Sequence, residues 1–351
     1  MAGIFFDARY IRPDFHDGIS RFSANLFAAL AKRVELTAII SDEAQLTQLP
    51  SGTKWVKINA VTSALEPFAA LRLNRHKPDL VFSPMQTIGS LGRKFKLVLT
   101  IHDLIYYRHP KPPANLSLPL RLGWRLFHLT YIPERILLAG CDAVVAVSAA
   151  TLKDIRRNRL TRKPIAVVHN ATERREHPKS KRSVEKTLVY MGTFMPYKNV
   201  ETLIRGVGLL GDYRLELLSR ISPSRRAELQ ALADKCQANV VFHNGVSDQR
   251  YFELLDTTTA LVSASRDEGF GIPVVEALEN GVPVAISDIE IFREVAGEVG
   301  VFFDPEDPQK FADCIRQLEA KPNSAASLRA QAAKFNWDDS ATELLKLIES
   351  V

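Results

Sequence analysis

The sequence predicts an α/β fold made of two doubly wound domains that face each other across a cleft. Short apolar runs that alternate with amphipathic helices predict the class, and runs that are apolar on both faces are typical of parallel strands. A polar, charged break at residues 170–186 separates two such series. With 351 residues, the chain is long enough for a first domain over 1–170 and a second over 171–337.

The first domain opens with the apolar strand "GIFFDARY", a loop, and the helix "ISRFSANLFAALAKR", whose apolar residues recur at helical spacing. Further apolar runs end in polar residues, as strands of a parallel sheet do: "LTAIISD", "DLVFSP", "KLVLTIHD", "DAVVAVSA" and "PIAVVHN". A helix is predicted for "SAATLKDIRRN", with Ser148 as its N-cap.

The second domain repeats the alternation after the break. Its predicted elements are, in order, "TLVYMGT", "VETLIRGVGLL", "RLELLSR", "RAELQALADKC", "NVVFHNG", "QRYFELLDTT", "TALVSAS", "IPVVEALENG" and "VPVAISD". At the end of the chain, "FNWDDSATELLKLIESV" predicts a helix from about Asp338, with Leu344, Leu345 and Ile348 on its buried face.

Composition excludes several classes of protein. The 46% hydrophobic and 25% charged content is typical of a globular protein, and no apolar run approaches the roughly 18 residues of a membrane span. Cys141, Cys236 and Cys314 are far apart, which favours reduced thiols in a cytoplasmic protein over a metal site. The chain opens without the basic start of a signal peptide. It has no GxxxxGK[ST] loop, no GxGxxG after the first strand and no HExxH, so no metal or nicotinamide cofactor is expected.

The net charge of +6 is unevenly distributed. Residues 1–182 contain 29 Lys and Arg against 14 Asp and Glu, whereas residues 183–351 contain 17 against 26. Such a division indicates two parts with different partners, although a solvated basic surface would look the same. Nucleic acid is not expected as a partner, because no known binding motif accompanies the charge.

The stretch "SASRDEGFGIPVVEALENG" carries two glutamates, Glu268 in a glycine-rich loop and Glu276 in the helix that follows. Gly269 and Gly271 allow a ligand to approach the backbone, and Pro273 suits the first turn of a helix. At the carboxyl end of a strand, two carboxylates can accept hydrogen bonds from sugar and ribose hydroxyls. Alternatively, Glu268 caps the helix and Glu276 forms a surface ion pair.

The stretch "EGFGIPVVE" resembles the E-x7-E signature of the retaining glycosyltransferases of family 4, which have the GT-B fold. The resemblance covers nearly the whole chain and implies that the last helix, about residues 338–351, crosses back onto the first domain. Other segments match the family in order: "DGISRFSANLFAAL", "TIHDLIY", "AVVAVSAATLKDI", "IAVVHNAT", "MGTFMPYKNVETLI", "VVFHNGVSD" and "GVPVAISDIEIFREVAG".

The resemblance implies roles for residues of the second domain. Glu276 would bind the donor ribose, Glu268 the hydroxyls of the transferred sugar, and Lys198 the donor diphosphate as its charge grows. The backbone N–H groups that would complete the sugar and phosphate contacts belong to Phe270, Gly271 and Ile272.

In the first domain, the resemblance implies that His102 reaches the sugar and that Gly18 lets the first loop approach phosphate or acceptor. Asp103 is a weaker candidate for the same wall. Alternatively, His102 is a structural histidine that is hydrogen-bonded at a strand end.

The phosphate site departs from the family pattern. The position five residues before Lys198, where the family has arginine, is Thr193, and the position used by another branch is Tyr197. Arg220, at the end of the "LELLSR" strand, is the predicted substitute.

The predicted function is retaining transfer of a hexose from a nucleotide sugar to a glycan or lipid-linked acceptor in cell-envelope synthesis, without a metal. The segment "GTFMPYKN" is similar to that of bacterial mannosyltransferases, which implies GDP-mannose as the donor. A UDP-hexose donor, a nucleotide-sugar epimerase and a non-catalytic binding homologue remain alternatives.

Part of the basic excess lies in residues 109–138, where Arg121, Arg125 and Arg135 alternate with apolar side chains. Such a stretch can lie on the inner face of an anionic membrane. A helix packed inside the first domain would show the same pattern.

Overall fold

Two parallel β-sheets organise the chain, and each belongs to its own unit. The computed structural model describes residues 3–13, 17–112, 117–172 and 184–351. One unit comprises Met1–Ala171 with Asn336–Val351, and the other comprises Thr172–Phe335. Most of the predicted linker, 170–186, lies outside the described residues.

The first unit contains a seven-stranded sheet in the order β3-β2-β1-β4-β5-β6-β7. Its strands are β1 (Ile4–Asp7), β2 (Leu36–Ile40), β3 (Lys54–Lys57), β4 (Leu80–Ser83), β5 (Lys96–Ile101), β6 (Ala143–Ala146) and β7 (Ile165–Val167). Its first six α-helices are α1 (Gly18–Ala31), α2 (Ala69–Leu73), α3 (Ile105–Arg108), α4 (Leu118–Phe127), α5 (Ile132–Ala139) and α6 (Ala149–Arg157). Ser148 caps α6 by accepting a hydrogen bond from the Thr151 N–H at 3.0 Å, as predicted.

The second unit contains a six-stranded sheet in the order β10-β9-β8-β11-β12-β13. Its strands are β8 (Thr187–Tyr190), β9 (Arg214–Leu217), β10 (Asn239–Phe242), β11 (Ala260–Ser263), β12 (Val284–Ser287) and β13 (Val301–Phe303). Its helices are α7 (Val200–Gly208), α8 (Pro223–Lys235), α9 (Asp248–Thr257), α10 (Ile272–Glu279), α11 (Glu290–Ala296), α12 (Pro308–Ala320) and α13 (Ala325–Ala332).

All pairs of neighbouring strands in the two sheets are parallel, which confirms the predicted α/β class. The direction of winding reverses between β1 and β4 in the first sheet and between β8 and β11 in the second. In open sheets of this kind, ligands bind beyond the carboxyl ends of the strands at such a switch point. The fold therefore directs attention to the loops that follow these four strands.

The apolar strands are explained by cores on both faces of the first sheet. Phe6 of β1 packs on Phe27 and Phe82, with ring centroids 5.3 and 5.0 Å apart, on one face. Phe5, the next residue in the strand, lies in the core on the other face. Side chains that alternate between two covered faces favour apolar residues at most positions of a central strand.

The last helix, α14 (Trp337–Glu349), follows the second unit in the chain but packs on α1 of the first. Asn336 caps it by accepting a hydrogen bond from the Asp339 N–H at 2.8 Å. Leu344 and Ile348 are buried, but Leu347 is buried in place of the predicted Leu345, which is only partly covered. The small error reflects the rotation of the helix on α1, which helical spacing alone does not determine.

The alternative that residues 109–138 form a helix inside the first domain is wrong for α4, since none of its residues is buried.

Two other features were not predicted. The edge strand β3 has the sequence "KWVK", which is mostly exposed, and β13 has only three residues. Within the described ranges, no helix combines the length and the apolar content required to cross a bilayer.

We predict that Leu344→Ala lowers the free energy of unfolding by about 2–4 kcal/mol, because it leaves a cavity between α14 and α1. Chemical denaturation of the full chain measures the change. Glu349→Ala, at an exposed position of the same helix, should leave stability nearly unchanged. Equal effects of the two changes would contradict the packing of α14 described above.

Candidate functional site

A lysine and a glutamate meet at the switch point of the second sheet. Lys198 follows β8 and Glu268 follows β11, the two strands between which the winding reverses. The Lys198 Nζ lies 2.6 Å from the Glu268 Oε1, and both side chains are about six-sevenths buried (13% and 15% exposed). The structure therefore brings together two of the predicted site residues that are 70 positions apart in the chain.

Hydrogen bonds from serines hold Glu268 in this position. The Ser265 Oγ donates to the Glu268 Oε1 at 2.8 Å. The Ser287 Oγ in turn donates to the Ser265 carbonyl at 2.5 Å, which ties the loop to β12. The N-cap of α10 is Gly271, and the hydrogen bonds of the Glu268 carboxylate are with Lys198 and Ser265, so the alternative that Glu268 caps the helix is wrong.

The start of α10 is compact because of a glycine. Gly271 has a φ of +91°, and a β-carbon there would lie 2.8 Å from the Phe292 ring. Phe270 is buried and packs edge-on against Phe335, with ring centroids 5.5 Å apart. This packing holds the N–H groups at the beginning of the helix, where the partial positive charge favours an anion. The predicted Phe270 and Gly271 thus directly precede α10, and Ile272 is its first residue.

Glu276 lies one turn into α10 and is only 6% exposed. Glu276 therefore does not lie at the surface, as the alternative of a surface ion pair supposed. Burial of a carboxylate costs desolvation free energy. An apolar residue at this position would let the helix pack without that cost. The burial of Glu276 in an otherwise apolar run, "IPVVEALE", is consistent with a binding role.

An arginine that the sequence analysis missed fastens the lysine loop to the glutamate loop. The Arg266 N–H donates to the Tyr197 carbonyl at 2.8 Å, and its Nη1 donates to the Pro196 carbonyl at 3.0 Å. The same guanidinium forms an ion pair with Glu306, where the Nη2 to Oε2 distance is 2.8 Å. Hydrogen bonding to Arg266 lowers the pKa of Glu306. Because Glu306 is 40 positions away, sequence pattern gave no signal for this clamp.

The positions where the family has arginine are occupied differently. The Thr193 carbonyl accepts a hydrogen bond from the Tyr190 hydroxyl at 2.6 Å. The Lys198 Nζ lies 5.3 Å from the centroid of the Tyr197 ring, so this tyrosine contributes a cation–π contact. Arg220, the predicted substitute, is exposed in the loop after β9, and its side chain lies over Gly245.

In the first unit, His102 follows β5 and Gly18 is the first residue of α1. Phe22 of α1 packs edge-on against the His102 ring, with centroids 5.1 Å apart. Asp17 caps α1 by accepting from the Ser20 N–H at 2.9 Å. His102 and Gly18 thus belong to one unit, and the other predicted site residues belong to the second. The weaker candidate, Asp103, accepts a hydrogen bond from the Ile105 N–H at 2.9 Å.

The environment of His102 determines its chemistry. Its Nε2 lies 2.7 Å from the Pro84 carbonyl, so the Nε2 carries the proton and the Nδ1 can accept a hydrogen bond. Burial lowers the pKa of His102 to about 4, against opposing effects of the Pro84 carbonyl and Asp17. The imidazole is therefore neutral at physiological pH. The predicted alternative, a histidine that is hydrogen-bonded at a strand end, is correct for its Nε2. Its Nδ1 can still accept a hydrogen bond from a ligand.

A buried ion cluster at the end of β1 was also missed. The Arg9 guanidinium binds Asp7 in two places, at 2.8 and 2.9 Å, and Glu66 in two places, at 2.7 and 2.8 Å. Burial alone would lower the pKa of Arg9, but the two carboxylates more than offset it and raise the pKa above its ordinary value. The signal in sequence was the charged pair of "DAR" at the end of a strand, but Glu66 is 57 positions from Arg9 in the chain. The cluster fixes the loops on one side of the first switch point.

Within the described ranges, no group of three or more His, Cys, Asp or Glu side chains is arranged to hold a metal ion. Cys141, Cys236 and Cys314 are free thiols.

Two doubly wound units, with a lysine–glutamate contact and a glycine-started helix at one switch point, are the features expected of a glycosyltransferase. Residues 16–175 match the model of the Glycosyltransferase Family 4 domain, and residues 172–335 match that of Glycosyl transferases group 1. The chain therefore belongs to the family 4 glycosyltransferases, which confirms the predicted family.

Relatives of known activity are distant. The O-antigen chain mannosyltransferase RfbU of Salmonella typhimurium is 26% identical over 57% of this chain and 57% of its own length. The GDP-mannose:cellobiosyl-diphosphopolyprenol alpha-mannosyltransferase of Komagataeibacter xylinus is 26% identical over 53% of this chain and 51% of its own. This chain thus spans little more than half the length of these curated relatives.

Among solved structures, HepE from Anabaena in complex with UDP and glucose covers 100% of both chains with a TM-score of 0.76. The two sequences are 16% identical, so this likeness is one of fold. It confirms the GT-B class.

We predict that Arg266→Ala weakens nucleotide binding about threefold to tenfold, because the loop of Lys198 loses the side-chain hydrogen bond to the Pro196 carbonyl and the link to Glu306, while the backbone hydrogen bond to Tyr197 remains. Isothermal titration with nucleoside diphosphates measures the affinity. The control is Arg293→Ala, which removes an exposed ion pair with Asp288 in the same unit. An Arg266→Ala protein with lowered melting temperature but unchanged affinity would show that the clamp is merely structural.

Proposed function

We propose that the protein transfers mannose from GDP-mannose to a glycan or lipid-linked acceptor, with retention of the anomeric configuration. The Lys198–Glu268 contact at the switch point between β8 and β11 is the observation that carries this proposal. It places a cation, a carboxylate and a helix start around one point of the second unit, and these are the groups that a sugar diphosphate requires.

Lys198 suits the diphosphate. Its ammonium group has three N–H donors, of which Glu268 takes one, so two can bind phosphate oxygens. The contact with Glu268 keeps the lysine extended toward the carboxyl ends of the strands before the donor arrives. A preorganised cation lowers the cost of binding and stabilises the leaving diphosphate. The backbone N–H groups at the start of α10 would add to this stabilisation.

The two glutamates suit the hydroxyl groups of the donor. The Glu268 Oε1 is engaged by Lys198 and Ser265, and a carboxylate has further lone pairs that can accept from sugar hydroxyls. Glu276, buried one turn into α10, would accept from the ribose. His102 would accept a hydrogen bond from a sugar hydroxyl at its neutral Nδ1. These roles divide recognition of the donor between nucleotide and sugar.

The proposed reaction is attack on the same face as the leaving group. The bond between the anomeric carbon and the diphosphate oxygen breaks, and a bond from that carbon to the acceptor oxygen forms. The acceptor proton passes to the leaving phosphate oxygen, while Lys198 stabilises its negative charge. No protein nucleophile takes part, because the acceptor oxygen attacks the anomeric carbon directly, and Glu268 is assigned to the sugar hydroxyls.

Both relatives described above are mannosyltransferases, which supports mannose as the transferred sugar.

The base of the donor would be recognised by the loops that follow β9 and β10, which are hydrogen-bonded to each other. The Ile221 N–H donates to the Asn244 side chain at 3.1 Å, and the Gly245 N–H donates to the Leu218 carbonyl at 2.9 Å. Backbone contacts from these loops would distinguish guanine from uracil, and Arg220 lies in the first of them.

We predict different effects for the two glutamates. Glu276→Ala should weaken donor binding by about 1–3 kcal/mol, because ribose hydroxyls lose their acceptor. Glu268→Gln should lower kcat more than it weakens donor binding, since it alters the charge beside the reacting sugar. Steady-state kinetics with a nucleotide titration separates the two, and Glu253→Ala on α9 is the control. Unchanged kinetics in both variants would contradict the assigned site.

We expect GDP to bind more tightly than UDP in a calorimetric titration. Incubation with a panel of nucleotide sugars and acceptors should release GDP from GDP-mannose. Tighter UDP binding would instead establish the UDP-hexose alternative. An altered sugar without released nucleoside diphosphate would indicate an epimerase, and absence of any turnover despite nucleotide binding would indicate a non-catalytic homologue.

A further inference from the structure

Helix α4 has one face that packs on the protein and one that does not. On the inner face, Trp124 packs edge-on against Tyr106 of α3, with ring centroids 4.7 Å apart. His128, at the end of the helix, packs against Tyr107 at 5.0 Å. These aromatic contacts attach α4 to α3, which follows directly after the His102 segment.

The outer face of α4 is an exposed row of aliphatic side chains. Leu118, Leu122 and Leu126 are spaced by four residues, so they lie within about 80° of arc on the helix, and Leu129 lies in the turn that follows α4. Their exposed fractions are 79%, 60%, 59% and 72%. We call these four residues the leucine row. Single exposed leucines are ordinary, but a contiguous row marks a surface that binds something.

Helix α5 continues this apolar surface. Ile132 and Ile136, four residues apart on α5, are 56% and 68% exposed. Neither helix needs these side chains for its own packing, because Glu134 and Leu138 are the residues that α5 buries. With Leu120, which is 61% exposed on another side of α4, seven large aliphatic side chains are thus exposed within 19 residues of sequence, positions 118–136.

The charges beside the leucine row are all positive. Arg121 and Arg125 are four residues apart, at the edge of the row on the helical projection. Among the described residues, neither forms an ion pair or a hydrogen bond through its side chain. Between positions 117 and 139 the only acidic residue is Glu134, which is 1% exposed. The surface therefore presents leucines bordered by unneutralised guanidinium groups.

We propose that the leucine row and its two arginines dock the protein on an anionic lipid bilayer. Aliphatic side chains beside arginines suit an interfacial helix, because the leucines enter the acyl region while the guanidinium groups reach lipid phosphates. With 10 residues, α4 is about 15 Å long and lies in the plane of the surface. The docking surface does not depend on the identity of the donor.

A bilayer fits this surface better than a second copy of the chain. In a symmetric dimer formed through the leucine row, Arg121 and Arg125 of both copies would be brought together with no exposed carboxylate in the segment to offset them. An anionic leaflet supplies the missing negative charge. Because α4 is anchored on α3, docking would also hold the loop of His102 near the leaflet. Presentation of a lipid-linked acceptor there rests on the proposed function.

The proposal is tested by co-sedimentation of the full chain with vesicles of phosphatidylcholine that contain about one third phosphatidylglycerol. The protein should bind these vesicles at low salt, bind pure phosphatidylcholine less, and be largely released at ~0.5 M salt. Leu122→Glu with Leu126→Glu should weaken binding at least about tenfold. Arg121→Gln with Arg125→Gln should weaken it and remove most of its salt dependence.

The matched control is Leu209→Glu, which changes a 47% exposed leucine in the second unit and should leave vesicle binding unchanged. Circular dichroism establishes that each variant is folded. Failure of the wild type to bind vesicles, or equal binding by the Leu122/Leu126 variant, would overturn the proposal. A dimer in analytical ultracentrifugation that the same variant dissociates, without vesicle binding, would overturn it in favour of self-association.

Nucleotide titration without lipid keeps this test separate from the proposed function. All the variants should bind nucleoside diphosphate as the wild type does, because α4 belongs to the first unit and the donor residues belong to the second. Vesicle binding without nucleotide binding would contradict the donor assignment alone. Nucleotide binding without vesicle binding would contradict the membrane surface alone.

Discussion

The contact between Lys198 and Glu268 depends on where the winding of the second sheet reverses. Adjacent parallel strands place their carboxyl ends at one edge, and helices that depart on opposite faces leave a crevice between the loops. β8 and β11 are such strands, so the two side chains meet at 2.6 Å although no local sequence feature joins them. The serines and Arg266 around them restrict the loops that carry the pair.

The two units differ in how their charges are used. In the second unit, the site residues are held by short-range hydrogen bonds: Ser265 to Glu268, and Arg266 to the carbonyls before Lys198. In the first unit, the Arg9 guanidinium is buried between two carboxylates, those of Asp7 and Glu66. The cluster therefore contains one positive and two negative groups. The unpaired positive charges of the first unit include those beside the leucine row. The basic excess of this unit therefore has one concrete location on its surface, and not all of it is a general solvated charge.

Much of the candidate site could be predicted because its signals are local. Glu268, Gly271 and Glu276 lie within nine residues, and glycine, proline and helical spacing indicate their setting without tertiary information. Their alternative roles as cap and surface pair were also reasonable from sequence. The structure contradicts them because a cap depends on the distance between the carboxylate and the helix N–H groups, and burial depends on the elements packed around the residue. Sequence spacing determines neither. The same limit explains why Leu347 was missed beside Leu344.

The sequence by itself determined the alternation of strands and helices, the family, and the residues at the start of α10, because these depend on the periodicity and identity of near neighbours. Only the tertiary structure decided which distant groups meet. It placed Lys198 on Glu268 and Arg266 on Glu306, and it assigned the proton of His102 through the Pro84 carbonyl. It also decided that the leucine row of α4 faces outward. An amphipathic pattern specifies that a helix has an apolar face, but the packing of the other face decides whether protein covers it.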